Sequence, residues 1–283
     1  YESDSAESLN KMVERALVGS KDTQEKIRLA LEKGMGYSWK ARAARIMAFI
    51  RQPRALPVAT LGSWVLLGLC AGLVLFFTFF HLFESPETWM DEGLIIQSAQ
   101  GLLHTGKASL PVAPGIYEPS WYITTGFPVT LPLAGVFAFF GTSVEGARIV
   151  MALFLITFFA VAYRYIRKSF TGATVWLALL CLVFFAPLYG NGRNVLGEVP
   201  GLLFLLLAAF PLISSKELSK KSAVWIGVCA GMAVATKPLF LLFLPAVLLS
   251  LLLRHKSLNL FKVFWFGVLG VFVPILVWVV LQF

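Results

Sequence analysis

Residues 58–93 read VATLGSWVLLGLCAGLVLFFTFFHLFESPETWMDEG. The apolar run from Val58 to Phe83 is about 39 Å long as a helix, enough to cross a bilayer core with some tilt. Arg51 and Arg54 precede it, which puts its start on the cytoplasmic side. Trp89-Met90-Asp91-Glu92-Gly93 follows just past its end, so Asp91 and Glu92 fall at the outer membrane–water boundary. A carboxylate held near lipid is costly, and it marks a position kept for function.

Composition agrees with this reading of the run. The chain has 283 residues, 58% hydrophobic and 14% charged, with a mean hydropathy of +0.79. A soluble domain carries about a quarter of its residues as charges, so this is an integral membrane protein of multiple spans. The net charge of +9 comes in short basic clusters between apolar runs. That distribution serves orientation in a bilayer and excludes nucleic acid as a partner. Cys70, Cys181 and Cys229 lie inside apolar runs without metal-like spacing, and read as small core hydrophobes. The chain opens on Tyr1 with no signal peptide ahead of it, and reads as an excerpt of a longer protein.

Residues 1–54 form a cytoplasmic head of amphipathic helices. Asp4 with Glu7 makes a capping-box start, followed by a face of Leu9, Met12, Val13, Ala16 and Leu17. Asp22 with Glu25 starts a second helix ending near Gly34 and Gly36. Ser38 caps a third, with Trp39, Ala43, Ile46, Met47 and Ile50 on one side and Lys40, Arg42, Arg45 and Arg51 on the rest. Such a basic amphipathic helix suits an anionic lipid surface. Tyr37-Ser38-Trp39-Lys40, with Ala43, Ala44, Ile46 and Ile50, also resembles the C-terminal helices of GT-B glycosyltransferases, none of whose catalytic residues is present.

In residues 55–283 the basic clusters set the count of crossings. Arg164, Arg167 and Lys168 belong inside, so only one of Gly126–Phe140 and Ala147–Tyr165 crosses. The first is short and carries Pro128 and Pro132, which makes it an interfacial or re-entrant helix. Ala173–Tyr189 then goes out and Val199–Ser214 returns to Lys216, Lys220 and Lys221. Ala223–Thr236 goes out, Leu239–Leu253 returns around a hairpin tip at Lys237-Pro238, and Val263–Phe283 leaves last. The sum is about seven spans with every basic cluster inside.

The outer face is left with Glu84, Glu87, Asp91, Glu92, Lys107, Glu118, Glu145, Arg148, Arg193, Glu198 and Lys237. Bland roles are open to each. Asp91 is a candidate cap for the helix carrying Leu94, Ile95, Ala99, Leu102 and Leu103, with Glu92 as a first-turn acid. Arg148 and Lys237 are placed to snorkel to headgroups. Glu198 and Arg193 are close enough to pair across a loop, and Glu145 reads as the first-turn acid of the Arg148 helix. His104 has no His or Cys partner for a metal, and Trp64, Trp89 and Trp121 fit an interfacial belt. The chemical alternative is that acids and bases share one face: a carboxylate takes a proton from a hydroxyl, while Arg and Lys hold a lipid phosphate.

Residues 58–283 resemble the N-terminal module of the GT-C polyprenyl-phosphate-sugar transferases, the group of protein O-mannosyltransferases and the lipid A aminoarabinose transferase. The matching text starts with Trp89-Met90-Asp91-Glu92-Gly93 and a helix closing at His104-Thr105-Gly106. Tyr117-Glu118-Pro119, Gly126-Phe127-Pro128 and Val144-Glu145-Gly146-Ala147-Arg148 follow. Leu196-Gly197-Glu198-Val199-Pro200 and Ala235-Thr236-Lys237-Pro238 complete it. Glu118-Pro119-Ser120 departs from the Lys-Pro-Pro that relatives often carry.

The resemblance implies an all-α, polytopic GT-C-like module whose specificity region continues past Phe283. It implies an inverting transfer from a polyprenyl-phosphate-linked sugar to a glycan, lipid or protein acceptor. Asp91 would be the catalytic base, with Arg148, Lys237 and Arg193 on the phosphate. Glu92 and Glu198 would orient groups or bind sugar hydroxyls, and Tyr117 and Glu118 would contact substrate. No general acid is required, no particular cofactor is implied, and a divalent cation is compatible with the scheme. The rival class is a flippase or transporter of lipid-linked sugar, for which internal repeats and mid-membrane polar breaks are the signature; no convincing repeat is present.

Overall fold

The computed structural model describes residues 7, 10–11, 13–14, 21–36, 42–43, 61–120, 122–214, 219–254 and 260–282. The chain divides into two compact units, Tyr1–Ala55 and Leu56–Phe283. In the first unit, helix α1 spans Lys21–Gly36, where Asp22 and Glu25 predict a start and Gly34 and Gly36 an end. Most of the predicted first helix and nearly all of the third, with its GT-B-like text, lie outside the described residues.

The second unit begins with α2, Leu61–Phe79. Its outward residues are as apolar as its inward ones: Trp64 is 62% exposed and Val65 63%. A helix apolar all round is stable only where its surroundings are apolar too. α3 spans Met90–Thr105, a hairpin of β1 (Ser109–Ala113) and β2 (Ile116–Pro119) follows, and then come α4 (Phe127–Phe140) and α5 (Val144–Ser169). The rest is helical: α6 (Ala173–Val183), α7 (Ala186–Arg193), α8 (Glu198–Ser214), α9 (Lys220–Thr236), a 3-10 turn over Pro238–Phe243, α10 (Leu244–Arg254) and α11 (Leu260–Gln282).

Among the described residues three helices are long and apolar enough to cross a membrane, within α2, α5 and α11, or four if α6 and α7 form one bent span. The predicted count of about seven spans is therefore not reached on length and composition. α8 and α9 have 17 residues each, at the lower edge of a span, and prolines break two other runs. Ala173–Tyr189, expected as one helix, is broken at Phe184-Phe185 and bent by 49°, because Pro187 in the first turn of α7 has no N–H to continue α6. Pro238 likewise opens a 3-10 turn after extended Lys237, so the return run starts late. α4, expected to be interfacial or re-entrant and not one of the spans, has 14 residues with Pro132 inside, a length of about 21 Å and short of a bilayer core.

The helices meet at two distinct ends. At one, Arg167 of α5 shares a cavity with Trp64 of α2 and Gly172 ahead of α6. Lys168 lies 4.6 Å from the Phe210 ring of α8, and Lys220 of α9 lies 5.5 Å from the Phe266 ring of α11. At the other end, the start of α5 meets the chain just after α2 and the start of α3. There too the end of α11 bonds Ser120 and Ala108. The basic residues at the end of α5 and at the start of α9 thus gather away from Asp91.

Packing is tightest where side chains vanish. A Cβ on Gly227 of α9 would overlap the backbone carbonyl of Gly267 in α11, and one on Gly270 would press on Val224. The two backbones approach closely there, as small residues allow between apolar helices. α5 runs through the centre, with Met151, Ala152 and Leu155 fully buried.

The hairpin is the one departure from all-helical structure among the described residues. β1 and β2 are antiparallel, with Ser109 opposite Pro119 and Pro111 opposite Tyr117, and Gly115 turns the chain at φ 75°. The hairpin is docked, since Ala108 N–H donates to Leu281 O at 2.8 Å.

Candidate active site

Glu92, in the first turn of α3, is completely buried, and so is Arg148, in the first turns of α5. The guanidinium donates to both carboxylate oxygens, Nε to Oε1 at 2.9 Å and Nη2 to Oε2 at 2.8 Å. Its remaining bonds go to the carbonyls of Leu82 and Pro86, each at 2.9 Å. Glu92 Oε1 also accepts from Val195 N–H at 3.2 Å. A buried ion pair is tolerable only when such extra bonds satisfy both partners. One pair thereby ties together the chain after α2, the head of α3, the head of α5 and the loop before α8.

This corrects two expectations. Arg148 does not snorkel, and it offers no free fork to a lipid phosphate, because four hydrogen bonds occupy it inside the protein. Glu92 is buried against it, and neither residue lines the neighbouring cavity. Both hold the site's frame.

Asp91, one residue away and 100° round the helix, faces the other direction. It is exposed and lines a cavity of about 360 Å³ with Met90, Tyr122, Thr124, Thr125 and Lys237. The capping alternative fails, since the N-cap position belongs to Trp89 and carries no side-chain cap bond. Among the described residues Asp91 makes no hydrogen bond or ion pair, so both its oxygens are available to a ligand.

Lys237 forms the opposite wall. It follows α9 in extended conformation and forms an ion pair with Glu198, in the first turn of α8. Both side chains are partly exposed, 24% and 30%, so the cation is held but still reachable. Gly197 permits this arrangement, because a Cβ there would press on Thr236 O and Lys237.

The floor of the cavity is a strap, residues 122–126, fixed from two helices. Gln282 at the end of α11 donates to Ser120 O at 2.7 Å and Ile123 O at 3.3 Å. Gly126 N–H donates to Thr236 O at 3.1 Å, and a Cβ on Gly126 would collide with Ala235 O and Trp278.

Residues 128–280 match the family model described as dolichyl-phosphate-mannose-protein mannosyltransferase, over half of the chain. The chain belongs to that family. Its fold is similar to a chain of the Saccharomyces cerevisiae protein O-mannosyltransferase Pmt1-Pmt2 complex bound to the sugar donor. The TM-score is 0.57 and the identity 17%, over 79% of this chain and 34% of that one. This chain therefore spans about a third of the length of that relative. Comparison with curated protein sequences gives no match.

The match places Arg148, Glu198 and Lys237 of this mannosyltransferase-family chain inside the family region, and Asp91 ahead of it. The remaining predicted residues stand apart from the cavity lining. Arg193 does not pair with Glu198; its Nη2 donates to Phe80 O at 2.7 Å, bracing the end of α2. Tyr117 packs its ring 5.8 Å from His104, and Glu118 is exposed on β2. Glu145 is the exposed first-turn acid of α5, where Ser143 caps the helix by accepting from Gly146 N–H at 3.0 Å. No group of three or more His, Cys, Asp or Glu that could hold a metal ion is found among the described residues. Tyr122, Thr124, Thr125 and Gln282 were not anticipated. Their signal was slight: a run of hydroxyls ahead of Gly126, and one amide at the end of a long apolar run.

Proposed function

We propose that the protein is an inverting glycosyltransferase that moves a sugar from a polyprenyl-phosphate donor to an acceptor hydroxyl at the outer membrane face. The observation that carries this reading is the cavity shared by an unpartnered carboxylate, Asp91, and a held cation, Lys237. The acceptor oxygen attacks the anomeric carbon while the bond from that carbon to the phosphate oxygen breaks. Asp91 receives the hydroxyl proton. The lipid phosphate departs with the electron pair, its charge met by Lys237. Glu198 orients Lys237, and the Glu92–Arg148 pair positions Asp91 by fixing the head of α3. Hydroxyls of Tyr122, Thr124 and Thr125 supply polar contacts for a sugar.

The orientation follows from charge. The basic clusters lie at the end of the bundle away from Asp91, and such clusters favour the cytoplasmic side. The cavity then opens outward, and the head, residues 1–54, lies in the cytoplasm.

The test is the full-length protein in vesicles with a labelled polyprenyl-phosphate-mannose and an acceptor bearing a free hydroxyl. Free polyprenyl phosphate and a mannoside of inverted anomeric configuration are expected. Donor that is moved across the bilayer uncleaved would replace the enzyme reading with a flippase.

Lys237→Ala removes the reachable cation. A charge-assisted contact to phosphate is worth roughly 1.5–3 kcal/mol, so donor KM should rise about tenfold or more, and kcat should fall as well, because the same cation meets the charge of the departing phosphate. Glu198→Gln keeps the cation and should keep most of the donor affinity. A Lys237→Ala enzyme that binds donor as tightly as wild type removes Lys237 from the phosphate.

A further inference from the structure

At the basic end, two cavities meet between α2, α5 and α6. The smaller, about 80 Å³, is lined by Trp64, Tyr163, Arg167 and Trp176 among others. The larger, about 390 Å³, is walled by apolar side chains such as Val74, Ile156, Phe159, Leu179 and Val183. Leu67 and Tyr163 line both, so the two lie end to end along the same three helices. Ala160 and Leu75, on the rim of the larger, are exposed.

This groove of two cavities has a depth and a polarity gradient. Its lining runs from Trp64 to Leu75 on α2, from Arg167 to Ile156 on α5, and from Gly172 to Val183 across α6. Each stretch is about 16 Å along a helix axis, close to half of a hydrocarbon core of roughly 30 Å. One leaflet is therefore the span of the groove. The guanidinium of Arg167 sits at its mouth, donating to Tyr163 Oη at 3.3 Å, between two tryptophans of the kind that sit at headgroup level. No acidic residue lines either cavity, while Arg164 and Lys168 extend the positive surface on the same turns of α5.

We propose that this groove is a binding site for one anionic glycerophospholipid, its phosphate on Arg167 and an acyl chain laid along Leu67, Val74, Phe159 and Leu179. A planar fork of donors suits a phosphate, and a walled apolar channel below it suits a tail. The site is separate from the sugar-transfer cavity: Arg148 and Arg167 are 19 residues apart on one helix, about 28 Å.

The test uses the full-length protein purified in mild detergent and offered phosphatidylglycerol or phosphatidylcholine with identical acyl chains, with bound lipid read by native mass spectrometry. One phosphatidylglycerol per chain is expected, preferred about tenfold over phosphatidylcholine, the worth of one charge-assisted contact. Arg167→Ala should bring phosphatidylglycerol down to the phosphatidylcholine level. Ala160→Phe, on an exposed rim position that tolerates bulk, should lower retention of both. Equal retention of phosphatidylglycerol by wild type and Arg167→Ala overturns the headgroup assignment, and full retention by Ala160→Phe overturns the groove.

Discussion

Asp91→Asn should reduce sugar transfer by roughly 10²–10⁴-fold, the range that a positioned general base contributes, while donor binding stays close to wild type. The change is nearly isosteric, and Asp91 holds no partner among the described residues whose loss would disturb the fold. The neighbouring ion pair, Glu92 with Arg148, keeps its bonds. What is lost is the ability to take a proton at the moment the acceptor oxygen attacks. Release of polyprenyl phosphate and donor affinity, measured on the same preparation, separate a lost base from a lost site. If transfer continues at the wild-type rate, Asp91 has no part in proton removal, and the reading of the cavity as catalytic loses its main support. A Glu at this position keeps the carboxylate but moves it by about one methylene, so Asp91→Glu should lie between the two.

The membrane character of the chain was legible at once, because an apolar run such as Leu61–Phe79 has no other stable environment. The sequence also offered an acidic turn after that run and a set of later cations, of which Lys237 lines the cavity with Asp91 while Arg148 and Arg193 do not. What the sequence concealed was which charge faces which way. Asp91 and Glu92 are adjacent and both acidic, yet one lines a cavity and the other is fully buried. That difference comes from the 100° step of the helix against a partner 56 residues away, a relation no local pattern records. Arg148 and Lys237 looked alike for the same reason. The break at Lys237-Pro238 was legible as a hairpin tip, whereas Pro187 sits inside an apolar stretch, and hydropathy averages over it although it breaks the helix. The hairpin at Ser109–Pro119 is short, and it is held by a backbone bond to Leu281, far away in the chain.

Arg148→Met should destabilise the protein more than any change in the cavity. It would leave Glu92 buried with one bond, from Val195 N–H, and no countercharge, and removing one partner of a buried pair costs about 3–5 kcal/mol. Arg148→Lys should fare little better, since an ammonium cannot span both carboxylate oxygens and the carbonyls of Leu82 and Pro86 from one place. Pairing the change with Glu92→Leu removes the lone charge and should restore much of the thermal half-life in detergent. The double variant still lacks the tether between the heads of α3 and α5, so transfer should stay well below wild type while the Lys237 contact to donor persists. This pattern, stability recovered without activity, is what a positioning pair produces. A phosphate-holding Arg148 predicts the reverse: a single Arg148→Met protein as durable as wild type, with donor affinity as its main loss. Thermal inactivation and donor KM, measured on the single and double variants, decide between them.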